Sequence, residues 1–335
     1  MDKAIEVADL VRDFGEIRAV DRVSFSVEEG EIFGFLGPNG AGKTTTVRML
    51  TTLLKPTAGS IQIGGIDAVR HPYQARRQIG LVPEESNVYT ELSAWENLIF
   101  SARLYRVPRG ERERRAAELL EGFELGEKRD VKVQVFSKGM RRRLAIAMAL
   151  IHRPNILFLD EPTSGLDVRS ARTIKEIICQ LHADGTTVFL TTHQIEEASQ
   201  LCERVAIINR GRLAAIDRPE RLKQTVQSAQ AVEIAFDRGG PNLEGILRRL
   251  PGVTDVAKLG DKWRLYTSEP PALLPLLFDF AGQREMRILT VNTLGPSLED
   301  VFLRLTGQRV GELAEPGNGE QVGQGRRGRG GMRDG

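Results

Sequence analysis

Residues 37–44 read GPNGAGKT. This stretch fits the pattern G-x-x-x-x-G-K-[ST], a phosphate cradle when a strand runs into it and a helix leaves it. Both flanks meet that condition. EIFGFLG before it is a near-continuous apolar run ending in glycine, the pattern of a strand covered on both faces. The residues from Lys43 onward read as a helix that fades around LLKPTAG. In such a turn glycines let backbone N–H groups wrap the β- and γ-phosphates, and the helix N-terminus adds partial positive charge. Lys43 supplies a mobile ammonium, and the Thr44 hydroxyl is a hard oxygen ligand for Mg²⁺.

Outward from the cradle, IGLVPE, NILFLDEP and TTVFLTTH read as further buried strands, with a helix over RSARTIKEIICQLHA between the last two. Alternating strands and helices of this kind predict an α/β core built on a mostly parallel sheet. Ahead of it, AIEVADLVRDFG and AVDRVSFSVEEG read as short antiparallel strands; Val23, Phe25 and Val27 alternate with Arg22, Ser24 and Ser26. GSIQIGGID and AIINRGRLAAID read as hairpins. Residues 93–130 are helical in pattern, with Trp95, Leu98, Ile99, Ala102 and Leu104 as an apolar stripe, and RGERERRAAELLEGFEL as a solvated charged helix.

A boundary falls near residues 219–229. Beyond it the order is strand (231–236), helix (242–250), strand (253–259), strand (262–267), helix (271–281), strand (286–291), which is the ferredoxin-like arrangement. SLEDVFLRLTG reads as a last helix in which Ser297 and Asp300 form a capping-box variant. The domains expected are therefore 1–222 with a helical subdomain at about 90–150, 229–307, and a Gly/Arg-rich disordered tail over 308–335.

Composition narrows the class. The 335 residues hold one large domain and a smaller one, and a formal net charge of +2 does not by itself point to nucleic acid or lipid. Cys179 and Cys202 lie in apolar-patterned segments without metal or redox spacing and read as core thiols of a cytosolic protein. No run approaches the roughly 20 apolar residues of a membrane span, and the N-terminus lacks the regions of a signal peptide, so a soluble chain is expected.

A Mg²⁺ held at a triphosphate calls for a carboxylate at a neighbouring strand tip. Asp160 at the end of ILFLD is placed to hold the metal through water, and Glu161 to accept a proton from the attacking water. His193 ends VFLTTH; alone it would be a structural histidine, but in this order it reaches toward the γ-phosphate.

With these residues in hand, the chain resembles the nucleotide-binding subunits of ATP-binding cassette (ABC) transporters over about residues 3–220. GPNGAGKTT looks like the Walker A, ILFLDEP the Walker B with its glutamate, residues 164–167 (SGLD) the D-loop, His193 the switch histidine, and FSKGM the signature. The resemblance implies a P-loop cassette with a mostly parallel core sheet, an antiparallel β subdomain and a helical subdomain. It implies that Gly37, Pro38, Asn39, Gly40, Ala41, Gly42, Lys43, Thr44 and Thr45 bind ATP, that Phe14 stacks on adenine, and that Glu84 and Asp167 also face the nucleotide. Thr44, Glu84 and Asp160 would hold Mg²⁺; Glu161, His193 and Lys43 would carry catalysis. Ser137, Lys138, Gly139 and Met140 would close over ATP bound to a second copy of the chain, giving a head-to-tail dimer.

Three positions depart from the usual pattern. Glu84 stands for the Q-loop glutamine and adds negative charge near Glu161, so an altered metal or pH response is expected. Lys138 stands for a signature glycine and is expected to face solvent. Phe14 replaces the commoner tyrosine and keeps its stacking face. The mix of GLVPEE, SKGM and PSLEDVFLRLTG is similar to daunorubicin-resistance-type exporters. That similarity implies a peripheral subunit on the cytoplasmic face of the membrane, working on a separate transmembrane permease around residues 84–105. The competing class, a non-transport ABC ATPase acting on nucleic acid or ribosomes, rests only on the tail GRRGRGG, and no nucleic-acid partner is expected. Nothing resembles an NKxD-type guanine-selecting motif.

Overall fold

The computed structural model describes residues 2–85, 87–225, 230–239, 242–295 and 297–306; the expected tail over 308–335 lies outside these. The chain opens with β1 (Lys3–Phe14) and β2 (Ile17–Glu28), then β3 (Ile32–Leu36), α1 (Lys43–Leu50), β4 (Ala58–Ile63), β5 (Ile66–Asp67), α2 (Pro72–Gln78) and β6 (Ile79–Val82). Three helices follow, α3 (Ala94–Leu104), α4 (Arg109–Gly122) and α5 (Lys138–Leu150). Next come β7 (Ile156–Asp160), α6 (Val168–Ala183), β8 (Thr187–Thr192), α7 (Ile195–Leu201), β9 (Arg204–Asn209), β10 (Arg212–Asp217) and α8 (Pro219–Gln224). The last stretch carries β11 (Gln230–Phe236), α9 (Leu243–Leu247), β12 (Val253–Leu259), β13 (Lys262–Thr267), α10 (Pro270–Gln283), β14 (Ile288–Leu294) and α11 (Leu298–Thr306).

The central sheet runs β10-β9-β3-β8-β7-β6, with β6, β7, β8, β3 and β9 parallel and β10 antiparallel at the edge. All residues of β3, β7 and β8 are buried, which is why these strands read as unbroken apolar runs. A second sheet, β2-β1-β4-β5, is antiparallel and packs over the first. The contact between them is aromatic: Phe25 of β2 stacks on Phe33 of β3 at 5.5 Å, and Phe33, Phe35 and Phe158 surround Phe189. β1 and β2 are twelve-residue strands, longer than the short strands expected. Register shifts along their pairing interrupt the alternation that marks a strand in sequence.

Helices α3, α4 and α5 pack on one another beside the central sheet, and α3 starts at a full capping box: Ser93 Oγ accepts from Glu96 N, and Glu96 accepts from Ser93 N. Leu98 and Ala102 of the expected stripe are buried, but Leu104, at the helix end, is 68% exposed. Cys202 is buried as expected. Cys179 is exposed and is not a core thiol: α6 buries Ile174 and Ile178, and the residue after Ile178 turns away from that face.

The third sheet runs β12-β13-β11-β14, antiparallel throughout, with α9 and α10 on it and a separate apolar core of Val232, Ile234, Leu247, Leu265 and Leu277. α11 leaves this sheet and buries Leu298, Val301 and Phe302 with Ile195, Ala198 and Leu222 from α7 and α8. Its start is capped reciprocally, Asp300 N donating to Ser297 Oγ and Ser297 N to Asp300 Oδ2. Ser297→Ala removes the first of these, and unfolding stability should fall by about 1 kcal/mol, read by denaturant titration.

Candidate active site

A parallel sheet presents the carboxyl ends of all its strands on one side, and ligands of such folds gather there. Register brings Leu36 level with Thr192, Asp160 with Thr191, and Val82 with Leu159. The residues that follow these strand ends therefore converge: the glycine-rich turn after β3, Glu84 after β6, Glu161 after β7 and His193 after β8. They line one open cleft of about 380 Å³ with Pro38, Asn39, Gly40, Gly42, Lys43, Thr44, Thr45, Ala19 and Ser164.

The turn needs its glycines. Gly42 has φ +108°, and a Cβ there would lie 2.7 Å from Ala19 O; a Cβ on Gly37 would lie 2.5 Å from Ile208 O. Lys43 opens α1 and is only 7% exposed. Its ammonium donates to Gly37 O at 2.6 Å and faces Glu161 Oε1 at 3.6 Å. Burial pulls its pKa below the ordinary amine value, while Glu161, Asp160 and Glu84 work in the other direction.

Glu161 is buried and held in the left-handed region, φ +48°, with its N–H donating to Thr191 O at 3.1 Å. The turn aims its carboxylate into the cleft, with one oxygen toward Lys43 and the other 2.8 Å from His193 Nδ1. Asp160, one residue earlier, accepts from Thr191 Oγ1 at 2.5 Å.

The hydrogen bond to Glu161 raises the pKa of His193 above the ordinary 6.5, against partial burial and the Lys43 charge. Because the folded value exceeds the unfolded one, the stability this pair adds is complete below about pH 6.5 and is lost as pH rises through the folded pKa. An NMR titration should therefore place the His193 midpoint above 6.5, and Glu161→Gln should bring it down. A wild-type midpoint at or below 6.5 would contradict the pairing.

Of the expected site residues, Gly37, Ala41 and Asp160 lie behind the lining of this cleft, Asp160 buried against Thr191, and within one chain Phe14, Ser137, Lys138, Gly139, Met140 and Asp167 lie outside it. Phe14 ends β1 with its ring 47% exposed and the Arg12 guanidinium 4.5 Å above it. Ser137 caps α5 by accepting from Met140 N, Gly139 packs against Ser170, and Asp167 caps α6 by accepting from Ser170 N at 2.9 Å. Lys138 is exposed, with its ammonium over Gly165, and lines a neighbouring cleft with Glu84, Glu85, Arg141 and Ser164.

Arg142 is a residue the sequence reading missed. It sits in the run RRR, which looks like a solvated basic face, yet it is 1% exposed. It donates to Pro83 O and Glu84 O, each at 2.6 Å, and to Glu161 O at 3.4 Å. It thereby joins the helix carrying FSKGM to the two acidic segments of the cleft. Only burial separates it from Arg141 and Arg143, and no signal in the sequence carries that.

Among the described residues, no three His, Cys, Asp or Glu side chains form a self-contained metal site. The cleft instead offers hard oxygens from Thr44 and Glu84 beside a cradle shaped for phosphate, a donor set that fits Mg²⁺ completed by phosphate and water oxygens.

A glycine cradle on a helix N-terminus, a buried lysine, and a carboxylate–histidine pair at adjacent strand ends define a nucleotide triphosphatase of the P-loop class. The chain belongs to the ABC transporter ATP-binding family, whose model matches residues 20–164. It is 35% identical to the linearmycin resistance ATP-binding protein of Bacillus subtilis, over 91% of this chain and 99% of that one. It is 37% identical to the daunorubicin/doxorubicin resistance ATP-binding protein of Streptomyces peucetius, over 91% of this chain and 93% of that one. Among solved structures, a dimeric ATP-binding cassette in a post-hydrolysis state with ADP and phosphate is similar at 31% identity and a TM-score of 0.58, covering 64% of this chain and 98% of that one. The protein is thus an ATP-hydrolysing subunit of the transporter type. Among its described residues no helix is long and apolar enough to cross a membrane.

Proposed function

We propose that this chain powers export of drug-like or other hydrophobic compounds by a separate membrane permease, bound peripherally on the cytoplasmic face. The observation that carries the reading is likeness along nearly the whole chain, including the part after the cassette, to ATP-binding proteins of drug-resistance systems. Phe14 stacks on adenine, Gly37–Thr45 and Lys43 hold the phosphates, and Thr44, Glu84 and Asp160 hold Mg²⁺, which supplies charge neutralisation on the phosphate oxygens. Glu161 takes the proton of the attacking water, and His193 keeps that carboxylate oriented through its 2.8 Å hydrogen bond. Ser137, Lys138, Gly139, Met140 and Asp167 complete the site of a second copy.

Residues 1–222 form the cassette in this reading, and 229–307 an appended unit whose strand order supports a ferredoxin-like assignment. The permease docks where Tyr89, 49% exposed, packs edge-on against Phe100. Inside-out vesicles holding the chain and its permease should accumulate daunorubicin on addition of Mg-ATP. Replacing Tyr89 and Trp95 together should abolish uptake while ATP binding persists; equal loss of both would contradict the docking site. Absence of uptake of this and other hydrophobic drugs would contradict the export reading.

A further inference from the structure

Glu197 lies on α7 outside the cleft, and none of the roles above uses it. Its side chain is 1% exposed, and burying a carboxylate is costly unless hydrogen bonds offset the loss of water. Its partners are two hydroxyls. Thr163 Oγ1 donates to Oε1 at 2.7 Å, and Thr192 Oγ1 donates to Oε2 at 2.8 Å. Both threonines are buried themselves. Thr163 immediately precedes Ser164, and Thr192 immediately precedes His193, so each hydroxyl belongs to the neighbour of a residue that lines the cleft. The oxygen of Thr192 is engaged a second time, accepting from Gln194 N at 2.9 Å, which fixes the turn that carries His193.

We propose that Glu197 is a positioning residue for ATP hydrolysis, clamping the SGLD loop at Thr163 to the His193 turn at Thr192. Each carboxylate oxygen holds one loop, and the rigid carboxylate plane sets their separation. The loop reaching toward a second copy and the histidine that orients Glu161 then move as one body. A side chain needed only to fill space here would be better served by an apolar residue of similar volume, because a buried carboxylate adds nothing to packing. Glutamine keeps the volume but puts an NH₂ donor where one hydroxyl donated, so that hydroxyl must turn round to accept and its charge-assisted bond is lost. The inference rests on the roles proposed for Glu161 and His193.

The test is single-turnover hydrolysis of Mg-ATP by the full chain, beside equilibrium ATP binding. Glu197→Gln should slow hydrolysis about tenfold or more, with the ATP dissociation constant held within about twofold. Thr163→Val, nearly isosteric, tests the clamp without a buried carboxamide and should also slow hydrolysis. Combining the two should add no further loss, because either change opens the same clamp. Hydrolysis at the wild-type rate in Thr163→Val, or additive losses in the double variant, would overturn the proposal. Glu161→Gln, run in parallel, separates the two claims. If it still hydrolyses ATP, the assignment of the base fails. If it is inactive while Thr163→Val is unaffected, only the clamp fails.

Discussion

Glu161→Gln should lower ATP hydrolysis by about a hundredfold to ten-thousandfold while leaving ATP binding intact. The carboxylate is buried, aimed by a left-handed turn, and bonded to His193, so replacing one oxygen by an NH₂ group keeps its place and shape while removing its basicity and its charge. The amide keeps a similar shape beside Lys43. Nucleotide affinity depends on the glycine turn, Lys43 and Thr44; the substitution leaves all of these in place and removes a negative charge 3.6 Å from the Lys43 ammonium, which the phosphates can then pair with. Binding titrations and single-turnover rates measured on the same preparation separate the two effects. Hydrolysis within a few-fold of wild type would mean that another group takes the proton.

Arg142→Ala should be the most damaging change outside the cleft. It strips two short charge-assisted hydrogen bonds from the carbonyls of Pro83 and Glu84 and leaves a cavity where one of the largest fully buried side chains sat. Pro83 is half-buried and Glu84 exposed, so water recovers part of what their carbonyls lose, but the cavity left by a fully buried side chain costs about 2–5 kcal/mol, and thermal unfolding should shift down by several degrees. Activity should fall further than stability explains, because the same guanidinium orders the backbone at Glu84 and Glu161. Arg142→Lys should rescue little: one ammonium on a flexible stem does not span both carbonyls as the planar fork does. Unchanged melting together with unchanged hydrolysis in Arg142→Ala would show that the link is dispensable.

The parts of this protein that were legible in sequence share a physical cause. β3, β7 and β8 are buried on both faces, so their apolar runs announce them, and at or just after their ends stand residues with few chemical alternatives, namely glycines, Lys43, Asp160 and Glu161. Ser297 and Asp300 were readable because a reciprocal cap is a local pattern. What escaped depends on tertiary burial. Arg142 and Glu197 look like ordinary charges on helices, and only the surrounding elements make them internal. The length of β1 and β2 was hidden by irregular register, and Cys179 and Leu104 were misread because an apolar neighbour does not place a residue on the same helix face. The pairing of the glycine cradle with FSKGM lies beyond a single chain: Ser137 and Gly139 stay outside the cleft that Lys43 lines.

That pairing can be read from the mass in solution of Glu161→Gln with and without saturating Mg-ATP. Slowed hydrolysis should trap the bound state, and two chains should enclose two nucleotides between their cradles and signature helices. A 37.2 kDa species is expected without nucleotide and twice that mass with it. A chain that binds one ATP yet keeps its monomer mass would contradict the head-to-tail site.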